Sequence, residues 1–452
     1  MNIIIAGSGK VGTTLALRLS QEGYDITLID NNHQVLENVC EQCDAMGVQG
    51  NCASMPVLQQ AGIADADLLI AATNQDEVNL LSCTTAHGLN PKLHTIARIR
   101  NPEYTQQIHS LRNVFALSLA VNPEYQAARE IERLLRFPGF LARDTFAKGR
   151  TAIVELRVDA DSKLCGATLI QMNSIVKCKV LVCAVLRGGS AITPGGHFQL
   201  QEGDRIFVTA PTDNLSILLK NLGIVTRRVR KVIICGGGRV SRYLAERLSR
   251  SGISVSLIER NYDRCMQLAA SLPDITVVHG DATDQNLLES QGLSDTDALV
   301  TMTGLDELNM IISLYGNSKD IPQVITKLGR AENRSLADSL ALGSVICPRE
   351  LCCDDIVRYV RAMENHSGSA VSVHTIADGQ VEAIEFTVEP NTAHCNEALK
   401  NIKLKQGVLL VSITHGSNTQ IPSGDSSFNV GDTIVVVTSG RGKLRQLNDI
   451  FA

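Results

Sequence analysis

The phrase IIIAGSGKVG, Ile3 to Gly12, returns as VIICGGGRVS, Val232 to Ser241, about 229 residues later. The likeness runs well past the glycines: ITLID, ending at Asp30, matches VSLIE, ending at Glu259, and VQGNCAS from Val48 matches VHGDATD from Val278. DADLLIAATNQDEVNLL from Asp65 meets DTDALVTMTGLDELNMI from Asp295. A second kind of segment repeats as well. TAIVELRVDADSKLCGATL from Thr151 resembles VEAIEFTVEPNTAHCNEAL from Val381, and LQEGDRIFVTAP resembles FNVGDTIVVVTS. The chain is therefore an internal duplication, and each half carries two unlike modules. Its 452 residues suffice for three or four domains with their own cores. The repeats place modules at 1–150, 151–229, 230–380 and 381–452, with TRRVRK, Thr226 to Lys231, as the solvated connection between halves.

In the first module, short β-branched runs (NIIIA, DITLID, DAMGVQG, DLLIAAT, LHTIARI) alternate with amphipathic stretches such as VGTTLALRLSQEG. Strand and helix alternating at this pace predict a doubly wound, Rossmann-like parallel sheet covered on both faces. A further helix, EYQAAREIERLLR, presents Ala127, Ile131, Leu134 and Leu135 as an apolar stripe for the sheet or for a partner. The second module reads differently. VELRV, VLVCAVLRGG and DRIFVTA are strands parted by turn glycines, with one short helix near TLIQMN, which predicts a small α+β domain. The fold class is thus α/β, two Rossmann-like domains each followed by a small α+β domain.

In GSGKVG, Gly7 turns the chain off the strand, Gly9 leaves room for a pyrophosphate against backbone N–H groups, and Gly12 lets the helix lie close to the strand. The helix N-terminus then faces the phosphates. Asp30 ends the next strand at the spacing of a ribose-binding carboxylate; its charge favours NAD or NADH over a 2′-phosphorylated cofactor, and Asn31, Asn32 and His33 supply no arginine to reverse that. Lys10 does not make a P-loop, because the residue after Gly12 is Thr13 and not lysine. The second copy keeps Gly236 and Gly238, adds Gly237, places Ser241 where the first has Gly12, and retains a carboxylate as Glu259 with Arg260 beside it. A hydroxymethyl at this helix–strand contact is expected to push the helix outward and loosen the phosphate cradle.

Composition narrows the classes. The formal net charge is −5 with no long basic block, which gives no electrostatic footprint for nucleic acid or an anionic bilayer. No uninterrupted run of about 18 apolar residues occurs and MNIIIAGSGKVG lacks a positive leader segment, so a cytoplasmic location is expected. Thirteen scattered cysteines, with Cys40, Cys43 and Cys52 lacking a matched second pair, read as reduced thiols and not as a zinc site.

The duplicated fingerprint, T-N-x-D-E-x-N at Thr73 to Asn79, I-A-R at Ile96 to Arg98 and the trailing E-G-D at Glu202 to Asp204 resemble the RCK, or KTN, family of potassium-transport regulators across essentially the whole chain. The resemblance implies the order RCK-N, RCK-C, RCK-N, RCK-C, and phosphate contacts at Gly7, Ser8, Gly9, Lys10, Val11 and Gly12 with Asp30 on the ribose. It places Asn51 and Cys52 near the adenine and Thr73, Asn74 and Arg98 along the cleft. In the second half the matching positions are Gly236, Gly237, Gly238, Arg239, Val240, Glu259, Asp281, Ala282, Thr303 and Lys327. This sequence departs from the family pattern in having Gly50-Asn51 for Gly-Asp, Thr303-Gly304 for Thr-Asn, and Ser241. The implied role is regulatory: NAD, NADH, ATP or ADP in the cleft changes a homo-oligomeric dimer or tetramer ring at the cytoplasmic face of the inner membrane and gates potassium flux through a separate integral-membrane subunit.

The rival reading is an NAD-dependent oxidoreductase, which needs a substrate pocket with a general acid or base over the nicotinamide. No such constellation is legible; His197 in the first half and His394 and His415 in the second do not occupy corresponding places. A switch needs only two module arrangements with unequal affinity for a ligand.

Overall fold

The computed structural model describes the chain apart from residues 137–139, 225–228, 331–332, 334–335, 338–339, 341, 365–369, 440–443 and 445, and gives only the backbone of 106, 109, 142, 143, 173, 216, 362 and 364. Thr226, Arg227 and Arg228 of the expected connection lie outside the described residues. The chain divides into two compact units, Met1–Arg129 with Cys347–Val360, and Glu130–Ile346 with Arg361–Ala452.

The first unit is built on a six-stranded parallel sheet of β1 (Asn2–Ala6), β2 (Asp25–Asp30), β3 (Ala45–Gln49), β4 (Leu68–Ala71), β5 (His94–Arg98) and β6 (Leu119–Val121), in the order β3-β2-β1-β4-β5-β6. Between them run α1 (Lys10–Gln21), α2 (His33–Cys40), α3 (Met55–Gln60), α4 (Asp76–Leu89) and α5 (Pro102–Leu111), and α6 (Pro123–Arg136) follows the last strand. The order reverses at β1/β4, so the carboxyl ends of these two strands open the crevice of a doubly wound sheet. β1 and β4 are apolar on both faces because helices cover both: Ile3 to Ala6 and Leu68 to Ala71 are all buried. Each such isoleucine or leucine contributes about 1.5–3 kcal/mol of transfer free energy.

Residues 353–355 of a later helix, Pro348–Glu364, also belong to this unit. Asp354 pairs with Arg18 of α1 at 2.5 Å, Asp355 accepts from Gln126 of α6, and the Cys353 thiol lies 3.9 Å from the Val11 carbonyl. A helix from the second half thus packs beside the first half's glycine turn.

The second unit repeats the plan. Its first small module has β7 (Ala142–Phe146), β8 (Thr151–Arg157), α7 (Leu169–Val176), β9 (Leu181–Arg187), β10 (Ser190–Ile192), β11 (Arg205–Pro211) and α8 (Leu215–Leu222), with an antiparallel sheet ordered β10-β9-β11-β8-β7. The second parallel sheet uses β12 (Lys231–Cys235), β13 (Ser254–Glu259), β14 (Thr276–His279), β15 (Ala298–Thr301), β16 (Gln323–Lys327) and β17 (Ser344–Ile346), ordered β14-β13-β12-β15-β16-β17. Its helices include α9 (Arg239–Arg250), α10 (Tyr262–Ser271), α11 (Gln285–Ser290) and α12 (Asp306–Ser318); α13, the helix Pro348–Glu364 that follows β17, belongs through Val360 to the first unit. The last small sheet, β18 (Ala370–Ile376), β19 (Val381–Thr387), β20 (Val408–His415), β21 (Asn418–Gln420) and β22 (Thr433–Thr438), has the same topology as the first.

The apolar stripe of α6 finds its cover inside the chain. Ile131, Leu134 and Leu135 are buried, Glu132 accepts from Arg247 of α9 at 2.6 Å, and Gln323 of β16 donates to the Leu134 carbonyl at 3.0 Å. The two small sheets likewise share a core, in which Phe146, Ile153, Cys183 and Phe207 meet Ile376, Val381, Val411 and Val435. His374 Nδ1 and Asp144 Oδ1 stand 2.9 Å apart at its edge, and Ala147 N donates to Glu385 Oε2 at 3.1 Å. The aspartates of the two matching turns are structural: buried Asp204 of E-G-D pairs with Arg187 at 2.7 Å, and buried Asp432 of V-G-D lies 2.7 Å from His415. All thirteen cysteines are unpaired, and burial pushes the Cys83, Cys183 and Cys235 thiols up to about 12.

Candidate functional site

The first cleft begins where β1 ends. Gly7 takes φ +99°, a conformation other residues rarely adopt, and its N–H is fixed on the Ile29 carbonyl of β2 at 2.7 Å. A side chain at Gly7 would stand 2.9 Å from Thr73 N, and one at Gly12 only 1.8 Å from the Gly7 carbonyl. Gly9 is the N-cap of α1 with no side-chain acceptor on the first N–H groups, and the space beside its Cα is open. Lys10, Val11 and Gly12 therefore begin a helix whose unsatisfied amides and positive dipole end face an open crevice.

Asp30 Oδ2 accepts from Ser8 N at 2.7 Å and Oδ1 from Asn32 N at 2.9 Å, which ties this carboxylate to the glycine turn. Gly50 N donates to the Asp30 carbonyl at 3.0 Å, bringing Asn51 to the same rim. Cys52 beside it is buried, accepts from Ser82 Oγ at 3.2 Å, and has its thiol raised by burial; it can offer shape but not charge. The Ser8 hydroxyl is buried with no hydrogen-bond partner among the described residues.

Across the crevice, Thr73, Asn74 and Arg98 form one cluster. Arg98 Nη2 donates to the Thr73 carbonyl at 2.9 Å and to Asn74 Oδ1 at 3.2 Å, while its Nε is buried without a partner among the described residues. Burial, and then the nearby Arg100, pulls this guanidinium below its ordinary value.

Sequence reading missed the residue that assembles this cluster. Asn79 is fully buried; its Oδ1 accepts from Thr73 N at 2.9 Å and Thr73 Oγ1 at 2.7 Å, and its Nδ2 donates to the Arg98 carbonyl at 2.8 Å. Asp76 accepts from Arg100 N and Asn101 N at 2.8 and 2.7 Å and fixes the loop after β5. Glu77 accepts from the Tyr104 hydroxyl at 2.7 Å. The repetition of D-E-x-N at 76–79 and 306–309 was the available signal.

The second cleft has the same frame. Gly236 has φ +101° and is bound to the Ile258 carbonyl at 2.8 Å; Gly238 caps α9 as openly as Gly9 caps α1, ahead of Arg239 and Val240. Glu259 accepts from Gly237 N and Asn261 N, both at 2.7 Å. Asn309 repeats Asn79: its Oδ1 accepts from Thr303 N at 2.7 Å, and its Nδ2 donates to the Lys327 carbonyl at 2.9 Å. Lys327 Nζ reaches the Thr303 carbonyl at 2.7 Å, as Arg98 reaches Thr73. Asp281 is held by Thr283 N and Oγ1, the backbone bond first, which lowers its carboxyl; Ala282 is buried beside it.

Ser241 is fully buried and its hydroxyl has no partner among the described residues. The caps nonetheless match, φ/ψ −68°/−174° at Gly238 against −73°/−172° at Gly9. A Cβ at Gly237 would stand 2.6 Å from Leu268 Cδ1, so a side chain there would make Leu268 shift.

Two Rossmann-type clefts, each followed by a small antiparallel module, define a duplicated nucleotide-cleft regulator class, and the comparisons agree. The TrkA-N domain model matches residues 3–122 and 232–348, and the TrkA-C domain model matches 153–223 and 383–452. The chain belongs to the TrkA family: it is 31% identical over its whole length to the Trk system potassium uptake protein TrkA of Haemophilus influenzae, covering 98% of that protein. A TrkA homolog of Archaeoglobus fulgidus is 30% identical, with 100% of both chains covered. Among solved structures, the GsuK RCK domain superposes with a TM-score of 0.63 at 18% identity, covering 96% of this chain and 92% of that one. The GsuK channel bound to NAD gives 0.61 at 19%, over 97% of this chain and 76% of that one. These structures share the fold.

Proposed function

We propose that this chain is the regulatory subunit of a Trk-type potassium uptake system, a homo-oligomer seated peripherally on the cytoplasmic face of the inner membrane against a TrkH- or TrkG-like integral-membrane subunit. NAD or NADH occupies the first cleft, and ATP or ADP is a further ligand of the chain. Occupancy biases the arrangement of modules bounded near residues 150, 229 and 380, and through it potassium flux. The names of the full-length relatives support the transport role, and GsuK structures bound to NAD and to ADP support the ligand class. Among the described residues no helix is long and apolar enough to cross a membrane.

The observation that carries the reading is the uncapped N-terminus of α1 beside a carboxylate already bound to the glycine turn. Phosphates complete the N–H groups of Lys10 to Gly12, and Asp30, whose oxygens each retain a lone pair, accepts from ribose hydroxyls. Asp30→Ala weakens NADH binding at least about tenfold, since a hydrogen bond to a charged group contributes about 1.5–3 kcal/mol. Titration calorimetry on the intact, folded variant checks this, and unchanged affinity overturns the site. The chain alone consumes no NADH; steady substrate-dependent oxidation would establish the oxidoreductase reading instead.

A further inference from the structure

Two half-buried thiols stand at the end of the second helix of the first module. Cys40 is the last residue of α2 and Cys43 follows it by three, in the order Cys-Glu-Gln-Cys. Eight of the thirteen cysteines are buried; of the other five, Cys40 and Cys43 are the two that are near neighbours in sequence. The helical path continues through them. Glu41 has φ/ψ −68°/−25°, Glu41 N donates to the Glu37 carbonyl at 2.9 Å, and Cys43 N donates to the Val39 carbonyl at 3.2 Å. Residues three apart on such a path share a face, with Cα atoms about 5 Å apart. A disulfide spans Cα separations of roughly 4.4–6.8 Å, so this pair can close with little movement of the backbone.

The surroundings leave room for both thiols. The Cys40 sulfur rests over Gly47 of β3, where a Cβ would stand 3.2 Å from it. Cys43 donates its S–H to the Val39 carbonyl at 3.2 Å, a weak bond whose loss on closure costs little. In the second half Ile258 pairs with Val278 as Ile29 pairs with Val48, so that Gly47 answers to Val277, Cys40 to Ala270 and Cys43 to Pro273. That copy has the larger residue on the strand, the smaller one on the helix, and no thiol at either place. Burial raises both thiols of the first copy, and Cys40 and Asp44 add to the rise at Cys43. A basic thiolate is a poor leaving group, so a disulfide between these two resists reopening by a single thiol.

We infer that Cys40 and Cys43 form a reversible redox-modification site, a dithiol that closes to a disulfide by exchange with a low-mass disulfide of the glutathione type. One thiolate attacks a sulfur of the oxidant, which forms a mixed disulfide and releases one glutathione thiolate. The second thiolate displaces the other glutathione, and the two protons given up by the cysteines pass to the two thiolates released. The protein dithiol is oxidised, and one glutathione disulfide is reduced to two thiols.

The test treats the intact, folded chain with glutathione disulfide, alkylates the remaining thiols and cleaves after glutamate. Cleavage at Glu37 and Glu41 parts Cys40 from Cys43, so fragment 38–41 and the fragment beginning at Gln42 stay joined only through sulfur. Mass spectrometry of the wild-type digest should find them joined and free of glutathione, and separated once dithiothreitol is added. Cys40→Ser and Cys43→Ser should each retain one glutathione on the remaining thiol. Wild-type fragments that separate without reduction, a stable glutathione adduct on either wild-type thiol, or a bond from either to another cysteine overturns the inference.

Discussion

The two clefts share their frame and differ in what faces a ligand. Both tie a carboxylate to the second residue of the glycine turn, at 2.7 Å in each case, and both leave the following helix uncapped. Both hang the far wall on a buried asparagine that joins the end of the fourth strand to the end of the fifth. The differences between the copies reach into that frame as well as its rim: buried Ser241 for Gly12, Lys327 for Arg98 on the matching threonine carbonyl, Gly304 for Asn74, and Arg264 for Val35. Contacts that satisfy buried backbone groups are costly to lose in either half, whereas groups that meet only a ligand are free to diverge.

Removing the shared frame gives the largest expected effect. Asn79→Ala leaves the Thr73 N–H and the Arg98 carbonyl without their partner in a buried setting, a cost of about 3 kcal/mol. Asn309→Ala strips Thr303 and Lys327 in the same way. Urea unfolding followed by circular dichroism should register a similar loss for both, and only Asn79→Ala should weaken NADH. Equal loss of NADH in both variants would mean that the clefts are not independent.

Putting the second half's residue into the first comes next. Gly12→Ser sets a Cβ 1.8 Å from the Gly7 carbonyl, so the turn must shift, and overpacking of this kind costs about 1–3 kcal/mol. Because the displaced atoms form the phosphate turn, NADH affinity at the first cleft should fall more than tenfold, read by the same titration. An unaffected affinity would show that the dinucleotide does not use the N–H groups of this turn.

Most of the frame was legible because it repeats. Strands β1 to β5, the glycine turn and the acid at its end follow from apolar runs, spacing and the second copy, each checking the other. Strand β6 was not read, since Leu119–Val121 is too short to display a period, nor β7, whose ARDTF puts charge and apolarity together at a shared edge. Helix α8, LSILLKNL, was passed over because eight mostly apolar residues fit a strand as well as a helix. The destination of the α6 stripe could not be read either: nothing local says that Leu134 lies against Gln323, which is 189 residues away. Asn79 and Asp76 hid for a further reason, for a buried polar residue that satisfies backbone looks in sequence like any helix-start polar residue.

The smallest expected effect belongs to the reverse exchange. In Ser241→Gly the helix gains backbone freedom when unfolded, a cost of about 0.5–1 kcal/mol, but a buried hydroxyl without a partner is removed, so stability should change by less than about 1 kcal/mol. The cap torsions already match those of the first half, which means that the serine is accommodated without altering the direction of the first amides. Any loosening must then lie in the separation of helix and turn, and relieving it should bring the amides of Arg239 and Val240 nearer a phosphate. ATP affinity should rise, by about threefold if each of two amides regains a few tenths of a kcal/mol. A variant that binds ATP no better would mean that the second cleft accommodates its serine at no cost to the cradle.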